Sequence, residues 1–550
     1  AAAQGLLAGR GLAGAAAMIA VVTAASRVLG LVRWLVQAHS VGAKAIGEAY
    51  TAANTVPNVL FEAAAGGALS GAVIPVLAEP IERGDRGGVQ RIVSATLGWT
   101  LLVLVPLGLV LALAAGPVAQ LLTPDAAQQR LARTFIQMFA LQVPLYGLTV
   151  LAYAVLQAHK RFFWPAFAPI LASVVTIAAY LWYGRLAGGE LADPAAVPGR
   201  ALLVLGWGTT AGVAAMCVPA LVAMVPLRLR LRPTLRFPDG VAARVRRLAL
   251  AGVSAVAAQQ LSVLVMVVLA GRGTAEGTWP VYQYSQQVYL LPYAVLVVPL
   301  ATSAFPRLSA WRATGDLHRF AALAAASLRG VLVVAGAGAA AVVAMAPAIA
   351  LVFGEIRPEQ AGVVVPAMNH ALSLMVPGLV GFSLMYQGSR TLYALERGRS
   401  ALVVNAIGWG TVTVAACVLF VAVGADGDVI GALSGASTIG MTVGGVAALV
   451  TLRRAAGPAA LGGMRRSVPV LLGAGALAAV AGRWVVESVL MLVGAGVWSA
   501  LGAALGGGFL ALVVVAAVLA VGDRHVLTGL VHRDRMRPGG RPSATRRSAP

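Results

Sequence analysis

Apolar runs of membrane-spanning length recur from end to end of this chain, separated by short clusters of arginine, glycine and proline. They predict an all-α polytopic membrane protein with about fourteen transmembrane helices, at 17–38, 47–78, 92–120, 131–158, 164–185, 201–227, 248–271, 280–306, 328–352, 364–393, 400–424, 429–452, 467–485 and 498–521. Several runs are longer than a bilayer needs, so tilt or extension beyond the membrane is expected. The first two break the apolar pattern from within. The run from Met18 to Gln37 carries Arg27 and Arg33; the run from Ile46 to Ala78 carries Glu48, Asn54, Asn58 and Glu62 around Pro57. An arginine near a bilayer centre costs about 2.5–3.5 kcal/mol on insertion scales, so such residues usually face a bundle interior or a wet cavity.

Composition agrees with the pattern: 59% hydrophobic and 11% charged residues, with a mean hydropathy of +0.85, exclude a soluble globular protein. The net charge of +22 would suggest nucleic acid in a soluble chain. Here the cations fall in short loops and at the C-terminus, which points to membrane topology and to anionic lipids as partners, and no nucleic acid is expected. Placing the N-terminus and every even-numbered connection on one side gives that side about 29 of the 41 basic residues and the other side eight. Such a bias predicts an even number of spans with both termini cytoplasmic. Cys217 and Cys417 lie within apolar runs without companion ligands, so neither a disulfide nor a metal site is expected. No metal spacing and no nucleophile–base motif is present, and no cofactor or enzymatic activity is expected. The first run is long and holds two arginines, so it is expected to remain as a span.

A faint internal repeat divides the chain. The end of span 2, Ala68 to Leu77, aligns with the end of span 8, Leu300 to Leu308, on Pro75 and Pro306; Leu156–Arg161 similarly faces Leu392–Arg397. Two copies of six spans would share one orientation, a parallel duplication of a kind seen among transporters. The expected organisation is an N-lobe (1–227), a basic inter-lobe loop (228–247), a C-lobe (248–452), a C-terminal pair of spans (453–521) and a basic, disordered tail (522–550).

Several motifs carry a family resemblance. Ser26-Arg27-Val28-Leu29-Gly30-Leu31-Val32-Arg33 resembles the first-helix signature of the MurJ/MviN proteins, lipid II flippases of the MOP transporter superfamily. Gly47–Tyr50, Val56-Pro57-Asn58, Gly67–Leu77, Gln157–Arg161 with Pro165–Pro169, and Tyr284–Pro306 extend it over most of the chain. The resemblance implies two six-helix lobes in a V with two extra helices, a cationic central cavity, and residence in the bacterial cytoplasmic membrane. It implies lipid II, an undecaprenyl-pyrophosphate-linked precursor of peptidoglycan, as substrate, and makes cell-wall synthesis or division proteins candidate partners. Arg27 and Arg33 match the family's first-helix arginines, and Glu48 stands where an aspartate is usual. Thr55 replaces a basic residue, the paired arginines after Pro-Asn are lost near Phe61 and Glu62, and Gln286-Gln287 replaces an Asp-Arg pair.

Arginine suits a diphosphate because its planar fork stays charged and bonds phosphate in a bidentate manner. Arg27 and Arg33 are six residues apart, roughly 120° around a helix at ~100° per residue, so they cannot form one stripe. Both can border a wide cavity, or one can bond substrate while the other pairs with Glu48 or Glu62. Glu48 near the external end can also snorkel. Asn54 and Asn58 either cap the Pro57 bend or line the cavity. In the second half, Gln259, Gln260, Gln283, Gln286 and Gln287 form a polar cluster suited to sugar or peptide groups, or to interhelical bonding. Asn369, His370, Gln387 and Arg390 are weaker candidates, with Arg390 expected at the cytoplasmic end.

The leading function is translocation of lipid II by alternating access. A relative exporting another polyprenyl-linked glycan or a drug cation is the nearest alternative, although a cation exporter would need an acidic cavity. A non-transporting membrane scaffold of cell-wall assembly is the alternative from a different class.

Overall fold

The computed structural model describes residues 21–23, 25–63, 70–188 and 196–522. The expected tail at 522–550 and the small-residue run Gly66-Gly67 lie essentially outside these. All regular elements among the described residues are helical. They are α1 (Val21–Ser40), α2 (Ala45–Phe61), α3 (Ser70–Glu82), α4 (Arg86–Leu113), α5 (Ala115–Leu122), α6 (Ala126–Phe139), α7 (Gln142–Ala158), α8 (Phe163–Ala187), α9 (Gly199–Met224) and α10 (Val241–Arg272). There follow α11 (Thr278–Pro292), α12 (Val298–Ala313), α13 (Leu317–Ile356), α14 (Ala361–Met375), α15 (Gly378–Ala394), α16 (Gly398–Val423), α17 (Val429–Ala456), α18 (Met464–Val493) and α19 (Val497–Gly522).

Eleven continuous stretches are long and apolar enough to cross a membrane, and two bent pairs raise the number to 13. The expected span at 47–78 corresponds to α2 and α3, which flank residues outside the description. The chain is therefore a multi-pass, all-helical membrane protein, as its periodicity requires. Boundaries moved most where helices run past the bilayer: the span expected at 328–352 is the 40-residue α13. The one expected at 92–120 divides into α4 and the short α5, because Ala114 leaves the helical path.

Helix starts obey a simple rule. Asp85, Asp125, Asp316 and Asp428 each accept a hydrogen bond from the backbone N–H three residues on, at 2.7–2.9 Å, satisfying donors that the first turn leaves open. Packing then follows small residues. In α15, α16 and α17 a Cβ built on Gly381, Gly408 or Gly444 would enter a neighbouring helix, so these glycines set the closeness of the bundle. The α18–α19 pair packs against α13, with Gly482 and Gly507 in backbone contact.

Two interruptions shape the interior. α10 bends by 40° between Ser254 and Val256; the helix packs on α16 and also touches α2, α3 and α5. The eighth span contains a π-turn, Tyr293–Val297, directly after Pro292. Residues 228–240 form an ordered strap. Leu229 and Leu231 pack inward, Arg228, Arg230 and Arg232 point out, and the backbone is tied to α4 by Thr234 N–H to Ser94 O (3.3 Å) and Trp99 Nε1–H to Leu235 O (3.1 Å). The strap marks the near end of the molecule. The turns at 40–44, 273–277 and 357–360 mark the far end.

Candidate functional site

The first helix carries its two arginines toward different neighbours. Arg33 is half-buried, with its guanidinium 5.9 Å from the Trp34 ring centre and in electrostatic range of the hydroxyls of Tyr50, Tyr146 and Tyr180, all from residues before 228. Arg27 is exposed and in electrostatic range of Tyr293, in the π-turn of the eighth span. The 120° separation read from the sequence thus directs one cation to each half of the chain. Among the described residues neither arginine has a carboxylate within ion-pair distance, and the pairing with Glu48 or Glu62 is not made.

Glu48 does something else. Only 7% exposed, it accepts a hydrogen bond from Gly277 N–H at 3.3 Å, at the start of α11. An acidic oxygen there meets the free donors and positive dipole end of that helix. Snorkelling is therefore not its fate; it joins residues before 228 to residues after 247. Five other hydrogen bonds do the same. Ala43 N–H donates to Gln360 Oε1 (2.8 Å), Arg357 Nε–H to His39 O (2.7 Å), Trp279 Nε1–H to Thr55 Oγ1 (3.1 Å) and Tyr284 O–H to Gly42 O (3.2 Å). His39 Nδ1 meets Ile356 O at 3.2 Å, which requires the Nδ1–H tautomer. Gly42 has φ +76°, and a Cβ there would strike the Gln360 side chain at 2.6 Å, so the turn admits no larger residue. The far end is closed by this polar seal.

Below the seal, Tyr50 is the centre of a buried hydroxyl network. Its oxygen lies 2.9 Å from Tyr180 Oη and 2.8 Å from Thr209 Oγ1; Tyr180 donates to Gln37 Oε1 and Gln37 to Thr51 Oγ1. Asn58 accepts from Tyr146 O–H at 2.9 Å, and Phe61 stacks on Tyr146 with ring centres 4.3 Å apart. Asn54 is half-buried with an Oδ1 that has no hydrogen-bond partner, and Glu62 is exposed. Of the glutamines, Gln260 is 7% exposed and Gln259 half-buried on α10. Gln283, Gln286 and Gln287 share one half-exposed face of α11 at helical spacing, flanked by the buried Trp279, Tyr282 and Tyr289. Gln387 is fully buried and donates to Ser327 Oγ at 2.9 Å, so it bonds helix to helix. Asn369 Oδ1 is buried without a partner, while His370 pairs with Asp428 at 2.6 Å on the surface. Arg390 is half-buried against two aromatic rings.

Sequence reasoning did not single out His39, Arg357, Gln360 or the Tyr50–Tyr180–Gln37 network. A buried glutamine in a loop, two residues after Pro358, carries no periodic signal. The tyrosines were legible only as apolar-run residues with a polar tip.

A family model described as lipid II flippase MurJ matches residues 37–501. The lipid II flippase MurJ of Burkholderia cenocepacia is 32% identical over 381 residues, covering 66% of this chain and 69% of that protein. The probable lipid II flippase MurJ of Rhizobium meliloti is 26% identical over 419 residues, covering 74% and 75%. Among solved structures, a lipid II flippase MurJ in an inward closed conformation superposes with a TM-score of 0.69 over 92% of this chain and 99% of that one, at 16% identity. An inward-facing multidrug resistance MATE family transporter of the MOP superfamily superposes with a TM-score of 0.63 over 79% and 98%, at 14% identity. At such identities the two superpositions establish a shared fold.

Proposed function

The chain belongs to the lipid II flippase MurJ family, transporters and not enzymes, and on that footing we propose that it moves lipid II from the inner to the outer leaflet of the cytoplasmic membrane by alternating access. The near end, with its arginine-rich strap, is the cytoplasmic end, both termini are cytoplasmic, and the far end opens to the exterior. Spans one to six and seven to twelve act as the two lobes, and the last two spans (453–521) provide a surface for the isoprenoid tail.

The observation that carries the reading is Arg27: a guanidinium in an apolar helix, accessible, and without a carboxylate partner among the described residues. A structural arginine at such depth would be paired, because an unpaired charge is costly there. One kept free is poised for an anion that comes and goes. Arg33 faces the first lobe's hydroxyls and would hold the same diphosphate from the other side. Asn54, Asn58 and Glu62, with Gln259, Gln260, Gln283, Gln286 and Gln287, offer uncharged or exchangeable contacts for sugar and peptide. The six-bond seal supports the alternating-access part, since polar bonds at one end can be exchanged for water when that end opens. Glu48 belongs to this seal on the proposed reading and touches substrate only in passing.

The test is complementation of a strain depleted of its lipid II flippase, with surface accessibility of labelled lipid II headgroup as the readout. Arg27→Gln and Arg33→Gln are expected to abolish or strongly reduce accessible headgroup at normal protein levels. Full complementation by both would remove the transport reading and favour a scaffold.

A further inference from the structure

Arg390 lies in α15, four residues before its end, and has no carboxylate partner among the described residues. Its guanidinium carbon sits 4.9 Å from the ring centre of Tyr386, one turn earlier on the same helix, and 5.9 Å from that of Phe305 on α12. Tyr386 is held in turn by Tyr293 (ring centres 5.2 Å apart, edge to face), and Tyr293 packs on Phe382 at 4.7 Å. The π-turn brings Tyr293 to this place; both Arg390, from the second half of the chain, and Arg27, from the first helix, lie within electrostatic range of it.

Two guanidinium groups, one from each half of the chain, thus lie within electrostatic range of one tyrosine, and neither has a carboxylate partner among the described residues. Aromatic faces stabilise a guanidinium while leaving its N–H fork unbonded. Two like charges so placed repel unless an anion lies between them. We propose that Arg390 is a substrate-binding cation of the second lobe, which with Arg27 forms a two-sided seat for the diphosphate near the cytoplasmic mouth. This inference rests on the flippase reading. Arg390 is then not a topological marker at a helix end: Phe305 and Tyr386 are its positioning residues, and Tyr293 feels the charge of both cations.

The experiment uses the full chain in lipid nanodiscs and compares binding of undecaprenyl diphosphate with that of undecaprenol by native mass spectrometry. Loss of a charge-assisted phosphate contact is expected to lower the preference for the diphosphate by roughly 10- to 100-fold in Arg390→Gln. Arg390→Lys is expected to retain part of it, and both variants are expected to keep the wild-type thermal midpoint. Arg390→Met, which preserves the apolar stem against Phe305, supplies the same reading if the amide variant does not fold. A preference lost in Arg27→Gln but intact in Arg390→Gln and Arg390→Met overturns this inference alone. A wild-type protein with no preference for the diphosphate overturns the cationic path itself, and the inference with it.

Discussion

Gln360→Ala tests the far-end seal at a buried polar contact. Gln360 is 4% exposed, accepts from Ala43 N–H at 2.8 Å, and packs its amide against the Gly42 turn. Ala43 is itself only 2% exposed, so the truncation leaves its N–H without an acceptor while the seal is closed. A buried unsatisfied donor costs about 1–3 kcal/mol, and opening to water removes that cost, so the penalty falls on the closed state alone. The closed-to-open ratio should drop by roughly 5- to 150-fold. A reporter cysteine at Ala52 (7% exposed), in a Cys417→Ser background, reads the change through a membrane-impermeant maleimide added to intact cells. Cys217, at 1% exposed, can stay. The labelling rate should rise in proportion to the open population, while the thermal midpoint of the purified protein moves by only a few degrees. If Gln360→Ala combined with Arg357→Ala leaves the rate at Ala52 unchanged, the six bonds do not hold a gate and the reasoning fails.

Other outcomes follow from the same geometry. In Gly271→Ala the new methyl would collide with the carbonyl oxygen of Leu122, forcing the outer end of α10 away from α5; labelling at Ala52 should rise here as well, with a loss of thermal stability. Tyr50→Phe deletes the hydroxyl shared by Tyr180 and Thr209 in a fully buried position; it should cost about 1–3 kcal/mol, read from chemical denaturation in detergent, with Tyr180→Phe less than additive in the double variant. His370→Asn removes a surface contact with Asp428 whose members are 47% and 52% exposed, and should change stability by no more than about 1 kcal/mol and leave transport intact.

Hydropathy settles the architecture because the bilayer allows few alternatives. A backbone in hydrocarbon must satisfy its own hydrogen bonds, so each long apolar run becomes a helix whatever its neighbours are. That is why the spans emerge within several residues, and why the errors fall at α13 and α5, where helices extend past or stop short of the membrane. Candidate side chains stand out in the sequence where a residue contradicts its surroundings: Arg27 and Arg33 among leucines and valines, and the glutamine face of α11. Contacts are illegible where the partner is distant along the chain. Glu48 and Gly277 are 229 positions apart, and Ala43 and Gln360 are 317. Neither local pattern nor charge spacing records such a meeting. Thr55 is the sharpest case: a small hydroxyl in a helix, uninformative by itself, it accepts from an indole of the other half and so belongs to the seal.

Alternating access, as proposed, requires the two ends of the molecule to be matched in strength. At the far end, six hydrogen bonds each contribute about 0.5–1.5 kcal/mol net, the one given by Arg357 more, because opening returns the groups to water. Closure is therefore favoured by several kcal/mol from these bonds, with the apolar packing of Ile46 and Ala49 in one cluster with Trp279 and Tyr284 adding to it. At the near end, Arg27 and Arg390 repel until a diphosphate bridges them, and two charge-assisted contacts of about 1.5–3 kcal/mol each are of the same size. Binding at the mouth can then draw the lobes together there at a gain comparable to what the seal resists. The coupling has a definite sign: a ligand that favours near-end closure must, by linkage, raise the open fraction at the far end. Undecaprenyl diphosphate should accelerate maleimide labelling of the Ala52→Cys reporter, and Arg390→Gln should lose that acceleration. Equal labelling with and without the diphosphate would show that the two ends move independently, and the alternating-access proposal would not survive it.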